Sequence, residues 1–265
     1  MAKHTKETIK ELSEYIAKAY ELKEGVQPVT ELAPGLEVDD AYFVQLETIN
    51  VQLANGRKIT GKKIGLTSAA MQKSLGVDEP DYGHLLDDMA YENNATVPFD
   101  RLLQPRVEGE IAFVLKKDLI GPNVTSFDVM MATDYVVPAL EIVDSRIKDW
   151  KIKLEDTVAD NGSSAMYVLG NNQTKLTDID LKMVGMTFFK NGELVNSGIG
   201  AAALGDPAKC VAWLANKLAA YEITLKAGEV ILSGALSAAI PAAPGDSFTA
   251  KFSHFGEVTV TFSKE

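Results

Sequence analysis

The spacing of apolar positions along the chain predicts helices near the N-terminus and strands over most of the remainder. Residues 5–22 carry an apolar residue every three or four positions, and Thr5 is a suitable N-cap, so this segment is predicted as a helix. A second helix is predicted over residues 39–54, because Asn55-Gly56 is a typical signal for a helix C-terminus.

Strands are predicted where β-branched and aromatic residues form short apolar or alternating runs. They are expected at 58–66, 108–115, 135–143, 165–169, 183–189, 229–233, 247–253 and 257–263. Further helices are predicted at 68–75 and 206–220, and DEPDYG at 78–83 is predicted as a turn-like loop. The expected fold class is α+β, with a smaller helical N-terminal part, residues 1–95, and a mostly β body, residues 96–265.

Two glutamates stand one residue apart where a predicted strand enters the core, in the sequence RVEGEIAFVL. Because alternate side chains share a face of a strand, Glu108 and Glu110 lie on the same face as the apolar Ala112 and Val114. An ordinary strand end with solvated carboxylates is one interpretation. The other is a cation site, because two like charges this close repel each other and are costly to bury without a partner.

A third glutamate, Glu141, lies in another apolar strand-like run, YVVPALEIVDSR. Alone, it would be interpreted as a carboxylate paired with Arg146 or with a lysine. Together with Glu108 and Glu110 it offers three carboxylates from two predicted strands that are near enough in sequence to pair. Three such ligands leave coordination positions for water and substrate, which is typical of a catalytic metal site.

Composition limits the partners and the metal. The chain has 265 residues and a formal net charge of −11, which argues against nucleic acid and anionic membrane surfaces as partners. The charged, amphipathic N-terminus is not typical of a signal peptide, and no apolar run is long enough to span a membrane, so a cytoplasmic location is expected. The single cysteine, Cys210, excludes a cysteine-cluster zinc site, and the three histidines show no ligand spacing. Oxygen ligands favour Mg²⁺, Mn²⁺ or Ca²⁺.

Four longer segments carry a resemblance to one enzyme family. They are GKKIGLTSAAMQKSLGVDEPDYGHLLDDM, QPRVEGEIAFVLKKDLIGP, PALEIVDSRIKDWKIKLEDTVADN and GEVILSGAL followed by PGD. From about residue 36 to the C-terminus, the chain resembles the 2-hydroxypenta-2,4-dienoate (2-keto-4-pentenoate) hydratases of the fumarylacetoacetate hydrolase superfamily. The resemblance implies a β-rich body of the superfamily type, a homo-oligomer, and a Mg²⁺ or Mn²⁺ site with Glu108, Glu110 and Glu141 as its ligands.

The resemblance also implies two catalytic residues. The lysine before I-G-L-T is Lys63, and the aspartate of P-D-Y-G is Asp81. From the residues alone, these would be a surface lysine and a turn-forming aspartate. The resemblance implies that Lys63 is a proton relay or oxyanion stabiliser and that Asp81 is an acid/base or water-orienting group, and their individual roles stay open.

Polar loops supply further candidates for substrate binding, although each is also interpretable as a simple turn. The candidates are Thr67, Ser68, Asp160, Asn161, Ser163 and Ser233. The family commonly has alanine where this chain has Gly162, a departure that concerns only the local loop conformation.

The resemblance implies hydration of 2-hydroxypenta-2,4-dienoate to 4-hydroxy-2-oxopentanoate in aromatic meta-cleavage catabolism, with a downstream aldolase as a candidate partner. A 2-oxo or 2-hydroxy dienoate can chelate a cation through its carboxylate and adjacent oxygen, which stabilises the enolate that forms. A 4-oxalocrotonate decarboxylase has the same requirement, and a carbon–carbon hydrolase ranks lower because no histidine has a glutamate partner in a short motif.

A non-catalytic dicarboxylate-binding protein is the alternative from another class, and convergence of Lys63 and Asp81 on the glutamates would argue against it. A short monocarboxylic substrate is favoured because the hydroxyl candidates in the loops are neutral. Arg106 is expected only at the outer rim of the glutamate face, and Arg146 is expected beyond the strand end.

Overall fold

The helices of the N-terminal part lie where apolar residues recur at helical spacing. The computed structural model describes residues 3–265, apart from the side chains of Ala70, Ser74 and Leu75. Helix α1 is Lys6–Leu22, and the Thr5 hydroxyl caps it by accepting a hydrogen bond from the backbone N–H of Thr8. The remaining α-helices of the described residues are α2 Val29–Leu32, α3 Val38–Ala54, α4 Ala69–Leu75, α5 Ser126–Ala132, α6 Leu154–Ala159 and α7 Pro207–Ala219.

Strands form most of the remaining regular structure. In chain order they are β1 Ile59–Gly65, β2 Asp81–Leu86, β3 Ala90–Glu92, β4 Thr96–Val97, β5 Arg106–Leu115, β6 Thr133–Val143, β7 Ser164–Leu169, β8 Gly185–Lys190, β9 Glu193–Ile199, β10 Val230–Ala235, β11 Ile240–Pro241, β12 Ser247–Phe252 and β13 Gly256–Phe262.

Two sheets organise these strands. The larger sheet has the order β2-β1-β10-β5-β6-β7-β3, with β11 paired to β5, and the smaller has the order β4-β13-β12-β8-β9. The α+β class with a helical N-terminal part is confirmed. Strands from both 1–95 and 96–265 join the larger sheet, and the division of the chain into these two parts stays a prediction.

The two faces of β5 have different surroundings. Ile111 and Phe113 point into the main apolar core, which they share with Phe188 and Phe248 of the smaller sheet. On the opposite face, a smaller apolar cluster of the larger sheet consists of Leu85, Ala112, Val137, Ala139, Tyr167 and Leu232. The glutamate face therefore continues into this second cluster, as strand alternation predicts.

Several parts of the sequence-based prediction differ from the structure, and the short elements α2, β3, β4 and β11 were not predicted. DEPDYG is not entirely a loop, because β2 begins at Asp81. Strand β9 was not predicted, since its residues are mostly exposed and its apolar residues Leu194, Val195 and Ile199 do not alternate with polar ones. The short helices α5 and α6 were also not predicted, because a helix of two turns carries little periodic signal. In the described part of the chain, no helix is long and apolar enough to cross a membrane.

Candidate active site

Pairing of β5 with β6 brings the three glutamates together. Glu108 is directly opposite Glu141 in the antiparallel register, and Glu110 is opposite Ala139. One carboxylate oxygen from each glutamate lies within 4.8 Å of the others, and all three residues are buried. The adjacency that the sequence suggested is therefore present in the sheet.

Gly109 between the two glutamates is required by the packing of its own face. A Cβ at this position would lie 2.4 Å from the sulfur of Met186 and 3.4 Å from the Cβ of Ala250, both in the smaller sheet. A side chain at this position would therefore have to displace the end of the Met186 side chain between the two sheets. The sequence E-G-E thus places two carboxylates on one face of β5, and its glycine allows close packing of the two sheets on the other face.

An irregularity in β10 provides a hydrogen bond to Glu110. The register between β10 and β5 shifts between Leu232 and Ala235, and Gly234 within this bulge has φ +103°. Its freed backbone N–H donates to Oε2 of Glu110 at 2.8 Å. Bulges commonly redirect groups beside functional sites in this way.

The glutamate oxygens lack enough donors from the protein. Among the described atoms, Oε1 of Glu110 and both carboxylate oxygens of Glu141 are buried without a hydrogen-bond partner. Burial, followed by repulsion from Glu141, raises the pKa of Glu108 to about 8 and places that of Glu110 well above its usual range. Orphaned, clustered carboxylates of this kind have the chemistry that hard divalent cations require.

Lys63 lies directly beside these carboxylates. Its Nζ donates to the carbonyl of Gly162 at 2.8 Å and lies 3.5 Å from Oε1 of Glu141 and 3.6 Å from Oδ1 of Asp81. Burial opposes its charge, but Asp81 and the glutamates outweigh that effect and raise the pKa of Lys63. The lysine therefore stays protonated, and its neighbour Lys62 points to the other face of β1, where it pairs with Glu229 at 2.7 Å.

One carboxylate oxygen of Asp81 is hydrogen-bonded, and the other faces the ammonium of Lys63 without a hydrogen bond. Its Oδ2 accepts a hydrogen bond from the hydroxyl of Thr157 at 2.8 Å, whereas Oδ1 is buried without a hydrogen-bond partner. Gly65 leaves the space for this arrangement, because a Cβ there would lie 2.1 Å from Oδ1 of Asp81 and 2.9 Å from Nζ of Lys63.

The loop after α6 provides the carbonyl that holds Lys63. Asn161, Gly162 and Ser163 have φ values of 54°, 57° and 54°, so this turn is left-handed. Asp160 before the turn is buried and paired with Arg146, and burial raises its pKa to about 6 although Arg146 opposes the shift. This ion pair fixes the loop from the side away from the glutamates.

A cavity of about 340 Å³ connects these groups with the outside. Its polar lining includes Lys63, Asp81, Arg106, Glu108, Thr157 and Ser163. Its apolar lining includes Leu66, Met71, Val143, Trp150 and Ile152. Its size and mixed lining are typical of a small-molecule site.

Several sequence candidates do not line this cavity. The Ser233 hydroxyl donates to the carbonyl of Ile111, and Ser68 caps α4 by accepting from the N–H of Met71. Thr67 is buried against Gly234, and a Cβ built on Gly234 would lie 2.3 Å from the hydroxyl oxygen of Thr67. Asp160 and Asn161 support the loop from behind, since the Asn161 side chain accepts from the backbone N–H of His84 and donates to its carbonyl. Of the proposed substrate-binding residues, Ser163 lines the cavity.

Sequence reasoning missed Thr157, Trp150 and Gly65. Thr157 and Trp150 belong to segments whose patterns gave no sign of chemistry, although DWK is part of a segment that resembles the family. Gly65 could have been noticed, because a glycine inside a strand often marks the close approach of another group.

These features define an enzyme site for a small molecule, in which three clustered carboxylates lie beside a cavity lined by Lys63, Asp81 and Glu108. Residues 63–263 match the fumarylacetoacetate hydrolase C-terminal family model. The chain is 49% identical over 239 residues to a 2-hydroxyhexa-2,4-dienoate hydratase of Comamonas testosteroni, covering 89% of this chain and 90% of that protein. It is also 49% identical to a 2-hydroxypent-2,4-dienoate hydratase of Pseudomonas putida, covering 82% of this chain and 99% of that protein.

A solved structure has nearly the same backbone. The 4-oxalocrotonate decarboxylase from Pseudomonas putida G7, in complex with magnesium and adipate, superimposes with a TM-score of 0.96 at 38% identity, covering 99% of this chain and 100% of that one. The chain therefore belongs to the 2-hydroxypenta-2,4-dienoate hydratase family within the fumarylacetoacetate hydrolase superfamily, and it is an enzyme of the hydro-lyase class.

Proposed function

We propose that the protein hydrates 2-hydroxypenta-2,4-dienoate to 4-hydroxy-2-oxopentanoate with Mg²⁺ or Mn²⁺ as cofactor. The observation that supports this most is that Lys63 and Asp81 converge on the cluster of Glu108, Glu110 and Glu141, and that Lys63, Asp81 and Glu108 line one cavity. A non-catalytic binding protein would need the glutamates but not a buried lysine–aspartate pair beside them. The hydratase relatives support the choice of reaction.

The three glutamates would hold the cation. Their clustered oxygens, several without any hydrogen-bond partner, are the ligands that Mg²⁺ and Mn²⁺ prefer. When bound, the cation supplies Lewis-acid stabilisation of negative charge on the 2-oxygen of the substrate. The magnesium in the decarboxylase of Pseudomonas putida G7 is consistent with this assignment.

Lys63 and Asp81 then act on charge and protons. The Nζ of Lys63 lies 3.5 Å from Glu141 and 3.6 Å from Asp81, and as an ammonium ion this group would stabilise the enolate oxygen. Asp81 exchanges protons through its free Oδ1 while Thr157 holds Oδ2 in place. Protonation at C5 converts the dienol to a 2-oxo-3-enoate, water adds at the electrophilic C4, and a proton is delivered to C3.

The cavity has a size and a mixed lining that suit a short substrate chain. Leu66, Met71 and Ile152 supply apolar lining, and about 340 Å³ is at the lower end of the usual range for small-molecule sites. The Ser163 hydroxyl, which donates to Oδ2 of Asp160 at 3.1 Å, is a candidate to orient the water. A five-carbon dienoate fits these dimensions.

The test follows the ultraviolet absorbance of the dienoate with Mg²⁺, with Mn²⁺ and with a chelator. We expect loss of absorbance only with the cation, and ¹⁸O-labelled water should place its label on C4 of the product. Glu108→Gln should lower both cation affinity and turnover, because it replaces a charged ligand. Full activity of wild-type enzyme or of this variant in chelator would overturn the metal assignment.

Decarboxylation of 4-oxalocrotonate is the second candidate. It is favoured by the similarity to the decarboxylase and by Arg106, a cation that lines the cavity where the sequence had suggested neutral groups. Carbon dioxide released from a 2-oxohexenedioate faster than the five-carbon dienoate is hydrated would establish this alternative.

We also propose a homo-oligomer. Helix α5 exposes Phe127, Met130 and Met131 on one face, with relative exposures of 64%, 47% and 54%. A contiguous apolar surface of this kind is typical of a subunit contact. Light scattering of wild-type protein and of Phe127→Glu tests the idea, and a monomeric wild-type protein would exclude it. The location in the cytoplasm and the downstream aldolase stay predictions.

A further inference from the structure

Arg106 has a guanidinium that nothing in the described protein satisfies. The residue is half-buried and lines the cavity, and among the described residues its guanidinium makes no hydrogen bond and no ion pair. Since a guanidinium carries five N–H donors, this residue is prepared to bind an anion from the cavity.

The indole ring of Trp150 packs against the guanidinium of Arg106. The Arg106 carbon Cζ lies 4.4 Å from the centre of the indole ring, a cation–π arrangement. The indole N–H donates to the carbonyl of Gln104 at 3.0 Å, and Asp149 and Trp150 both have φ near +55°, at 57° and 55°. An unusual turn therefore aims the ring at Arg106 and leaves the edges of the guanidinium, where its donors lie, available to a ligand.

The position of Arg106 relative to the other charged groups indicates which end of the substrate it meets. Arg106 follows Glu108 outward on the same face of β5, whereas Lys63 and Asp81 lie on the side of Glu141. The substrate carboxylate and 2-oxygen would bind the cation that the glutamates hold. Carbons C3 to C5 of the substrate must then extend toward Lys63 and Asp81, which transfer protons. The C1 carboxylate then faces the opposite side, toward Arg106.

Charge balance leads to the same assignment. Asp81, Glu108, Glu110 and Glu141 are four buried carboxylates, and a divalent cation on the glutamates together with the ammonium of Lys63 would still leave a net negative charge beside an anionic substrate. A second fixed cation at the entrance offsets this repulsion and gives the carboxylate a bidentate partner.

We propose that Arg106 binds the C1 carboxylate of the dienoate and that Trp150 is the positioning residue that orients it. This inference rests on the proposed function for the identity of the substrate. It assigns to this chain a substrate anchor that is separate from the metal ligands and from the proton-transferring pair.

The main test is Arg106→Met, which keeps much of the side-chain length and removes the charge. We expect KM for the dienoate to rise roughly 10- to 100-fold while kcat changes only a few-fold, since charge-assisted hydrogen bonds have this strength. Arg101→Met is the matched control, because Arg101 is an exposed arginine that pairs with Asp88 and does not line this cavity. Trp150→Leu should raise KM by a smaller factor, and Trp150→Phe should restore part of the loss.

A binding measurement separates this proposal from the proposed function. Isothermal titration of Mg²⁺-loaded protein compares 2-oxobutanoate with its neutral amide, 2-oxobutanamide, and requires no turnover. Wild-type protein should prefer the acid, and Arg106→Met should reduce that preference by about the factor seen in KM. An unchanged preference would overturn the proposal, even if hydration itself is confirmed.

Two further outcomes would also overturn it. If Arg106→Met leaves KM unchanged in a protein that remains folded by circular dichroism, the guanidinium does not contact substrate. If the loss is confined to 2-oxo-enedioates, Arg106 binds a distal carboxylate instead of C1. Failure of wild-type protein to hydrate any dienoate, together with an acid preference that Arg106→Met reduces, would reject the proposed function while retaining the anchor.

Discussion

Oδ1 of Asp81 lies 3.6 Å from Nζ of Lys63, at the point where β2 begins beside the end of β1. The other oxygen of Asp81 is bound by Thr157, so the carboxylate cannot turn freely. Lys63 is in turn fixed by the carbonyl of Gly162. The two residues therefore form a rigid pair with one oxygen available for proton exchange, next to the carboxylates that would bind the cation.

Asp81→Asn should abolish proton exchange while keeping the shape of the side chain. We expect kcat to fall by about 10²–10⁴-fold, the usual contribution of a general acid/base, with Mg²⁺ affinity nearly unchanged. Dienoate absorbance measures the first quantity, and isothermal titration with Mg²⁺ measures the second. Asp178→Asn, at an exposed site, is the control for the substitution itself. A rate within a few-fold of wild type would make Asp81 a structural residue.

Lys62 and Lys63 form a natural matched pair, because they are adjacent, buried and directed to opposite faces of β1. Lys63→Met should remove turnover but keep or strengthen Mg²⁺ binding, since a positive charge beside the glutamates is lost. Lys62→Met should leave Glu229 buried without its partner and lower the free energy of unfolding by about 3–5 kcal/mol, with turnover per folded molecule retained.

Thermal unfolding and activity of both variants check this prediction. The expected result is a separation, in which one lysine controls the rate and the other controls stability. Equal loss of turnover in both variants, measured on folded protein, would contradict the assignment of Lys63 to the site.

The glutamate cluster was predictable from sequence because strand alternation and antiparallel pairing are simple rules. Glu108 and Glu110 were placed on one face, and the observed register adds Glu141 opposite Glu108. The helix at α7 was predictable for a similar reason, since Asp206 and Pro207 are strong local signals for a helix start.

The rest of the site depends on tertiary contacts that local patterns do not encode. Ser233 was proposed for substrate from its position at a strand end, but its hydroxyl is used by the carbonyl of Ile111. The role of Gly162 depends on its carbonyl, which contacts Lys63 from a turn 99 residues away in the chain. The stacking of Arg106 on Trp150 likewise joins two segments that have no local relationship in sequence.

Metal-free protein should lose stability as pH rises. Burial raises the pKa of Glu108 from 4.5 to about 8, so the folded state favours the protonated carboxyl. The contribution of Glu108 to folded-state stability is therefore fully present below its pKa in the unfolded chain. This contribution is lost as pH rises through about 8. In chelator, the unfolding temperature should fall between about pH 5 and about pH 9, and Glu108→Gln should reduce that slope.

Added Mg²⁺ should reverse this loss, because binding requires ionised ligands and releases their protons. Proton release on Mg²⁺ addition in weakly buffered solution is the direct measurement. A metal-free protein whose stability rises over the same pH interval, with no proton release on Mg²⁺ addition, would contradict the protonated state of the cluster.

Gly65→Ala tests whether the position of Asp81 matters independently of its chemistry. The new Cβ would lie 2.1 Å from Oδ1 of Asp81 and 2.9 Å from Nζ of Lys63, so the pair must move apart. Both side chains keep their functional groups, and the glutamates are untouched. We expect kcat to fall by roughly 10²-fold, because a displacement of about 1 Å in a catalytic group has an effect of this size.

The control is Gly56→Ala. A Cβ at position 56 would meet nothing within 4 Å. The φ of Gly56 is +90°, so an alanine there would be strained and would lower the stability of the fold. Gly65→Ala should therefore lose rate at constant Mg²⁺ affinity, whereas Gly56→Ala should lose stability at constant rate. If Gly65→Ala retains full kcat, the separation of Lys63 and Asp81 has no role in turnover, and proton exchange must be assigned to another group.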